Sequence, residues 1–322
     1  MWKTVIRRLL ILIPQLVVLS LFIFFIAQYM PGDALTGKSV DPNADPQRLE
    51  ELRQQWGFYD PWYVKYVRWV GNIFKGDLGR SYTHQVPVTQ VISDRAGNTF
   101  WLGLMTVFFQ YLISIPLGIL SGRYHDKIPD RAITLYSYVA LAMPTVVACL
   151  LSIFTFSFGL KWFPFGGTIS IEAYAAGGIQ AFLSRIHHMI LPALTVALIS
   201  TTSITQFLRS EIVDYEQSDF VTTARSKGVP KRVIYSRHIF RNSMIPVSSF
   251  MGYSIVGVLT GAIFTESVFG YPGMGKLFID SVFSRDYTVV NALIIFFAIL
   301  TVLGTLLSDV IMSLVDPRLK VK

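Results

Sequence analysis

The feature that most constrains this chain is a series of long apolar stretches. A helix of about 20 apolar residues matches the hydrocarbon core of a bilayer, and a helix satisfies its own backbone polar groups there. We therefore expect an all-α membrane protein with six transmembrane helices. The predicted spans are residues 9–29, 98–121, 133–160, 189–208, 246–265 and 289–315. Pro116 and Gly118 are expected to break the second span, and the third contains Pro144.

The distribution of charge indicates how these helices are oriented. The chain has 28 Lys and Arg against 20 Asp and Glu, a net charge of +8. Under the predicted topology all of this excess lies in the segments assigned to the cytoplasm, where basic residues are enriched. Both termini are therefore expected in the cytoplasm. We interpret residues 1–30 as an uncleaved first span, because no small-residue cleavage site is visible near Ala27.

Residues 31–97 are expected to form a long extracytoplasmic helical segment between the first two spans. Asp60 and Pro61 form a helix-start signal, because proline is favoured in the first helical turn. Trp62, Tyr66 and Trp69 then follow at helical spacing. Such an aromatic face is typical of a helix at a membrane interface, or of one packed on the spans.

The segment from Arg209 to Pro246 is too polar to cross a bilayer, although apolar stretches flank it. Seven of its residues are Lys or Arg, which favours the cytoplasmic side. Ser218 is expected to cap a first short helix, and Gly228 to end it with a positive φ. Pro230 is expected to open a second helix that runs to about Asn242.

Two interpretations of this segment remain open on physical grounds. Phe220, Ala224 and Lys227 fall on one face of the first helix, so the segment can form a rigid helical knob that a cytoplasmic partner binds. A basic loop that touches anionic lipid headgroups explains the charge equally well.

A resemblance favours the first interpretation. Thr222-Thr223-Ala224 followed by Gly228 resembles the Glu-Ala-Ala-x-x-x-Gly signature of membrane subunits of ATP-binding-cassette (ABC) importers, with Thr222 and Thr223 in place of Glu and Ala. TTARSKG followed by RHIFRNSMIP is similar to the peptide/nickel permease branch. The motifs MPGDA, ESVFGYPGMGKL, SRDYTVVNA and DPRLK extend the resemblance over nearly the whole chain.

The resemblance implies a set of partners. In that family a permease pairs with a second homologous permease, two ABC ATPase subunits and an extracytoplasmic peptide-binding (lipo)protein. The resemblance implies that the segment 209–245 is the coupling region, which in that family sits in a groove of the ATPase. Its expected docking residues are Phe220, Thr222, Thr223, Ala224, Arg225, Lys227 and Gly228. No cofactor is expected on this chain, and ATP and Mg belong to the partner ATPases.

Two patterns resemble a phosphate-binding loop and a metal site, but neither has the residues that such a site requires. Gly270 to Lys276 fits the phosphate-binding pattern G-x-x-x-x-G-K, but Leu277 replaces the Ser or Thr that would reach magnesium. We interpret the stretch as a tight turn at a helix end. His187 and His188 point about 100° apart on a helix, so they are poor joint metal ligands. We expect no metal site and no catalytic site.

Polar and small residues inside the spans are candidates for lining a pathway. They are Ser200, Thr201, Ser203, Thr205 and Gln206 in the fourth span, and Gly257 and Gly261 in the fifth. In a bilayer polar side chains face protein or water, but small residues also let helices pack closely. Both interpretations stay open for the fourth span, whereas packing is favoured for the GxxxG pattern. Asp309 is expected to pair with a basic group or lie among headgroups.

The sequence therefore predicts one permease domain over residues 1–322, in a bacterial cytoplasmic (inner) membrane. It would translocate oligopeptides or dipeptides delivered by the binding protein and driven by ATP. A nickel or other small-solute permease of the same family is the alternative. An ion-coupled secondary transporter fits less well, because such proteins usually carry charges within the membrane. The basic charge lies between spans and does not indicate nucleic-acid binding.

Overall fold

The computed structural model describes residues 14–15, 17–25, 47, 50–51, 54, 59–261 and 263–315. Over these residues the structure is almost entirely helical, and extended pairing is limited to one bridge between Arg80 and Pro87. The described residues divide into two compact units. The larger contains Ala96–Leu277 and residues 300–315, and the smaller contains Phe278–Ile299 with the described residues before Ala96.

The helices follow one another closely along the chain. In order they are α1 (Trp62–Phe74), α2 (Val88–Arg123), α3 (Ile128–Ala142), α4 (Thr145–Ser152), α5 (Ile171–Ala176), α6 (Gly178–Glu216), α7 (Asp219–Ser226), α8 (Lys231–Val233), α9 (Phe240–Gly261), α10 (Ile263–Val268), α11 (Met274–Phe283) and α12 (Tyr287–Val315). A π-helical turn, Ile153–Gly159, extends α4, and another, Ile234–Ile239, joins α8 to α9.

Three of the described helices are long and apolar enough to cross a membrane: α2, α6 and the Tyr287–Thr305 part of α12. Helix α3 and the α4 helix with its π-helical extension pass the same test only as a pair bent by 104°. The bend falls at Pro144 and divides the predicted third span, because proline disfavours helical geometry in the residue before it. The described residues thus give three or four candidate spans. Six spans and the orientation of the termini stay predictions.

Helix α2 runs unbroken through Pro116 and Gly118, so the predicted break there is wrong. Glycine instead allows a close helix crossing. A Cβ atom at Gly118 would lie 2.9 Å from the Cβ atom of Leu208 on α6, and one at Gly122 would lie 2.8 Å from that of Ile212. Small residues permit such approaches between helices in a membrane.

Helix α6 is the central element of the larger unit and contacts α3, α4 and α9. It extends beyond the predicted fourth span at both ends, so residues 209–216 of the polar segment continue the same helix. Its Leu191 and Ala193 belong to a core that also contains Leu102, Cys149 and Phe269.

In the smaller unit the aromatic face of α1 packs on helical residues of the predicted first span. The ring centroid of Phe24 lies 5.4 Å from that of Tyr66 and 5.8 Å from that of Trp69. The rings of Phe25 and Trp62 are 5.3 Å apart. The predicted helical spacing of these aromatic residues is confirmed. The rest of the first span and the DPRLK motif lie outside the described residues.

Candidate functional site

Helix α7, the first helix of the polar segment, rests on the core of its own chain. Val221 is fully buried and Ala224 is only 8% exposed. Both side chains belong to an apolar cluster whose other buried members are Ile204, Leu208, Ile212, Ile234, Ile239 and Val247. Because its inner side is packed in this way, α7 is held against α6, the π-helical turn Ile234–Ile239 and α9.

The outer side of α7 is open to solvent. Its exposed residues include Asp219, Thr222, Thr223, Arg225 and Ser226, and Lys227 directly after the helix is exposed as well. Phe220 lies at the edge, 39% exposed, with its ring centroid 6.0 Å from that of Tyr215. Sequence spacing grouped Ala224 with Phe220 and Lys227, but the structure turns Ala224 inward and leaves the other two at the surface. A docking partner would therefore meet the exposed residues, whereas Ala224 supports them from behind.

Both ends of α7 are where the sequence predicts them. Ser218 is the residue before the helix, although its hydroxyl donates to the Tyr215 carbonyl at 2.6 Å and does not cap α7. Gly228 follows the last turn with φ +76°. The Gly228 N–H donates to the Arg225 carbonyl (3.0 Å) and the Val229 N–H to the Ala224 carbonyl (3.2 Å). These two bonds form a Schellman motif, which confirms the predicted glycine stop.

The predicted end of the second helix near Asn242 is wrong. After Pro230 the chain forms α8, passes through the π-helical turn and continues as α9 to Gly261. Ile234 and Ile239, five positions apart, are both buried. A π-helical turn has i→i+5 hydrogen bonds and is wider than an α-helical turn, so residues five apart lie closer to one face and both side chains can enter the core. The polar segment therefore joins the predicted fifth span without a break.

An electrostatic network lies beside α7. The guanidinium of Arg225 donates to the Glu216 carboxylate at 2.8 Å. Burial, followed by the hydrogen bond to Glu216 and its charge, raises the pKa of Tyr235 to about 12. The Tyr235 phenol therefore keeps its proton at physiological pH. The guanidinium carbon of Arg123 lies 5.5 Å from the centre of the Tyr235 ring, within the range of a cation–π contact.

An ion pair between a partly exposed arginine and a buried carboxylate joins three helices close to this segment. Arg209 on α6 contacts Asp130 on α3 through two bonds, Nε to Oδ1 at 2.6 Å and an amino group to Oδ2 at 2.8 Å. The Ser121 hydroxyl of α2 donates to Asp130 Oδ1 at 2.5 Å, and the Asp126 N–H donates to Oδ2 at 2.8 Å. The Asp130 side chain is only 3% exposed. A bidentate pair of this kind fixes orientation as well as distance.

The GYPGMGK stretch forms a turn into α11, as predicted, and its amides bind a carboxylate of the chain itself. Glu266 is fully buried. Its carboxylate accepts from the backbone N–H groups of Gly275 (2.6 Å) and Lys276 (3.1 Å) and from the Thr99 hydroxyl (2.7 Å). The position that a phosphate would take in a nucleotide-binding loop is thus occupied by Glu266.

Most predicted pathway residues of α6 are used in contacts between helices. Thr201 and Thr205 are fully buried. The Thr201 hydroxyl lies 3.1 Å from the Tyr136 hydroxyl, and the Thr205 hydroxyl donates to the Ser114 carbonyl at 3.4 Å. The Gln206 amide donates to the Ser137 hydroxyl at 3.0 Å. The Ser200 carbonyl accepts from Gln110 at 3.0 Å. These contacts support the packing interpretation for Thr201, Thr205 and Gln206.

Ser203 and Gly257 differ, because both are exposed. A Cβ atom added at Gly257 would meet open space. Ser203 and Gly257 therefore remain the pathway candidates that this structure leaves accessible. The surroundings of Gly261 and the side chain of Asp309 lie outside the described residues.

The two adjacent histidines contact different backbone carbonyls. His187 Nε2 lies 2.9 Å from the Trp162 carbonyl, and His188 Nδ1 lies 2.7 Å from the Ser184 carbonyl. One nitrogen of each ring is therefore occupied by its own chain.

Three buried carboxylates that the sequence motifs did not predict organise the fold: Asp130, Glu266 and Asp286. Asp286 belongs to the smaller unit, where it accepts from the Ser81 hydroxyl (2.5 Å) and the Thr83 N–H (3.0 Å). One signal was available. Acidic residues next to apolar stretches are costly unless paired, and two of these carboxylates fall within the ESVFG and SRDY motifs.

Comparison with known proteins identifies the family. Residues 114–321 match the model described as "Binding-protein-dependent transport system inner membrane component", and residues 1–103 match its N-terminal membrane-component model. The chain belongs to the binding-protein-dependent transport permeases. The permease is 36% identical over 318 residues to the oligopeptide transport system permease protein AppB of Bacillus subtilis (strain 168), covering 98% of both chains. It is 33% identical over 322 residues to the glutathione transport system permease protein GsiC of Escherichia coli (strain K12), covering both completely.

Solved structures support the same fold. Two inward-facing structures of the MetNI methionine ABC transporter match 70% of the permease and 97% of their own chains, with TM-scores of 0.55 and 0.57. Their identities of 13% and 12% show the fold alone. The family models, together with AppB and GsiC, show that the permease is a membrane subunit of an ABC importer of the peptide/oligopeptide family. It is a transport subunit, and ATP hydrolysis in such systems belongs to partner ATPases.

Proposed function

We propose that the permease is one of two membrane subunits of a bacterial importer that takes up oligopeptides or dipeptides. The names of AppB and GsiC, relatives over the full length, support a peptide substrate. Nickel or another small solute remains the alternative within the same family. The single domain over residues 1–322 would lie in the cytoplasmic (inner) membrane, with residues 31–97 outside and 209–245 inside. An extracytoplasmic binding protein would deliver the substrate to the outer segment.

We further propose that α7 is the element through which two ATPase subunits drive the permease. The supporting observation is its two-sided environment: Val221 and Ala224 are buried in the core, while Thr223 and Lys227 face solvent. When the partners bind ATP and Mg and their dimer closes, a force on the exposed side would move α7 as a body. Its buried side would pass that movement to α6 and α9, so that the spans exchange between inward-open and outward-open states.

The docking proposal is tested with variants of the exposed side. Phe220→Ala removes a partly exposed ring, and Thr223→Trp adds bulk where a partner would approach. Neither changes the buried side of α7, so the permease should still insert and fold. The few interface residues that dominate binding each contribute more than about 1 kcal/mol, and if Phe220 and Thr223 belong to that group each variant should weaken ATPase binding by at least about fivefold. Binding is measured by recovery of the ATPases with the tagged permease over a concentration series.

Phe283→Ala is the matched control. Phe283 is 82% exposed, ends α11 and lies outside the polar segment, so its loss should leave ATPase recovery unchanged. Normal recovery with both α7 variants would contradict the docking proposal and favour a basic loop that only touches lipid.

A further inference from the structure

A groove lies beside the coupling segment, between the end of α2, the last turns of α6 and the start of α9. Its volume is about 260 Å³. The apolar part of its wall consists of Ile119, Ile212, Ile239 and Phe240. Ile212 and Ile239 are almost fully buried and form the floor, whereas Ile119 and Phe240 are only partly covered. The groove is thus an apolar surface of aliphatic and aromatic side chains next to a strongly basic segment.

Two arginines line the same groove. Arg123 is the last residue of α2, and Arg232 lies on α8. Both are exposed. Within the described ranges, neither guanidinium forms an ion pair with a carboxylate. Arg123 is held between aromatic rings, 5.6 Å from the centre of Tyr124 and 5.5 Å from that of Tyr235. The charge of both arginines is therefore available to an anion.

We propose that this groove binds one anionic phospholipid, with its phosphate between Arg123 and Arg232 and part of one acyl chain against the isoleucines. Helix α2 is a candidate span, and Arg123 marks its end, which is where a headgroup would lie. Guanidinium groups match phosphate geometry, and basic pockets between helices on the cytoplasmic side of a membrane bind anionic headgroups.

The two arginines favour an anionic headgroup, and the apolar wall favours an acyl chain. A free phosphate satisfies the arginines but leaves the apolar wall in water. A zwitterionic phospholipid covers the wall but brings no net negative charge to two cations. The occupant that matches both is an anionic phospholipid. By linking the end of α2 to α8 it would fix the base from which α7 projects. This inference goes beyond ATPase docking, because binding of the lipid requires no partner protein.

The first experiment measures lipid binding to the full-length permease, purified in detergent and stripped of lipid. Native mass spectrometry follows the retained lipid as phosphatidylglycerol is added, with phosphatidylcholine of the same acyl chains in parallel. We expect one phosphatidylglycerol to bind at least about fivefold more tightly than phosphatidylcholine, and inorganic phosphate in millimolar excess not to displace it. Equal binding of the two lipids, or displacement by phosphate alone, would overturn the proposal.

Variants then locate the site. Each basic residue near an anionic surface contributes about a fivefold gain in affinity, so Arg123→Ala with Arg232→Ala should weaken phosphatidylglycerol binding about 25-fold. Arg237→Ala with Arg241→Ala is the matched control. It removes two exposed positive charges from the same segment but none from the groove, and should change the affinity less than about twofold.

Two further variants keep the test decisive if the double alanine variant does not fold. Arg123→Lys with Arg232→Lys retains both charges and should bind within about fivefold of the original. Ser236→Trp retains both arginines but fills the groove, so it should lose phosphatidylglycerol. Unchanged binding by Ser236→Trp, or release of the lipid when the ATPases are added, would overturn the proposal. The second result would show that the groove belongs to the ATPase contact.

Discussion

The Glu266 carboxylate determines which residues fit in the turn that leads into α11. A Cβ atom at Gly273 would overlap this carboxylate, and one at Gly275 would lie 2.5 Å from the Cα atom of Ile263. The turn is therefore glycine-rich because the backbone must approach a buried charge, and not because it binds nucleotide. A pattern that matches a phosphate loop can thus be produced by an anion within the same chain.

Gly273→Ala should therefore destabilise the permease, whereas Gly97→Ala should not. The alanine methyl group at 273 must displace Glu266 from its donors, which we expect to cost about 1–3 kcal/mol by overpacking. Gly97 lies in α2, where a Cβ atom meets open space, so alanine there should stabilise by about 0.5–1 kcal/mol. Thermal unfolding of both variants in the same detergent compares the effects. Equal midpoints would show that the carboxylate can move aside without cost.

At the scale of elements, the Asp130–Arg209 pair joins α2, α3 and α6 at one point, next to the coupling segment. Arg209→Met should cost about 3–5 kcal/mol, because it leaves the buried Asp130 charge without its cation. The double change Arg209→Met with Asp130→Asn should recover part of that loss, since it removes the unpaired charge as well. Thermal unfolding measures both variants.

The matched control for this prediction is the exposed pair of Arg225 and Glu216, whose side chains are 48% and 31% exposed. Arg225→Met should cost no more than about 1 kcal/mol, because solvent screens an exposed pair. A similar loss of stability for Arg209→Met and Arg225→Met would contradict the view that the buried pair holds the three helices together.

Signals within a few residues predicted the bounds of α7 better than those of any other element. Gly228 and Pro230 act through local backbone geometry and end α7 as expected, and Ser218 precedes the helix although its hydroxyl does not cap it. Hydropathy could not show that α6 continues to Glu216, because it measures how favourably a segment is buried in lipid and does not mark where a helix ends. It also could not show that Ala224 faces inward, because the cluster that covers it comes from other helices.

The contacts that sequence reasoning missed join residues far apart in the chain. Asp130 and Arg209 are 79 positions apart, and Thr99 and Glu266 are 167 apart. No periodicity within one helix links such partners. Thr201 and Thr205 illustrate the same limit, because polarity alone does not distinguish a pathway from a helix contact. The structure shows that both residues are buried, with Thr201 in contact with α3 and Thr205 in contact with α2.

At the scale of the whole molecule, the six-span topology predicts which loops face outward. Single cysteines are placed at exposed positions in a Cys149→Ala background, and an impermeant thiol reagent is added to intact cells. The positions, from the N-terminal side, are His84, His125, Tyr174, Lys231 and Phe283. Labelling should alternate, with the first, third and fifth reacting and the second and fourth reacting only after lysis. Labelling of Lys231→Cys in intact cells would place the coupling segment outside and contradict the topology.

The energy source is the other property of the whole assembly that can be tested. An ABC importer moves its substrate because ATP closes the ATPase dimer, so uptake should follow ATP hydrolysis and not an ion gradient. In proteoliposomes containing both permeases and both ATPases, a labelled dipeptide presented by the binding protein should enter only when ATP and Mg are enclosed with the ATPases. Uptake should continue when an ionophore collapses the proton gradient at constant ATP.

A matched preparation with Phe220→Ala should lose uptake to the extent that it loses ATPase binding. Uptake that stops with the gradient alone, while ATP is still hydrolysed, would contradict the importer mechanism and favour an ion-coupled transporter.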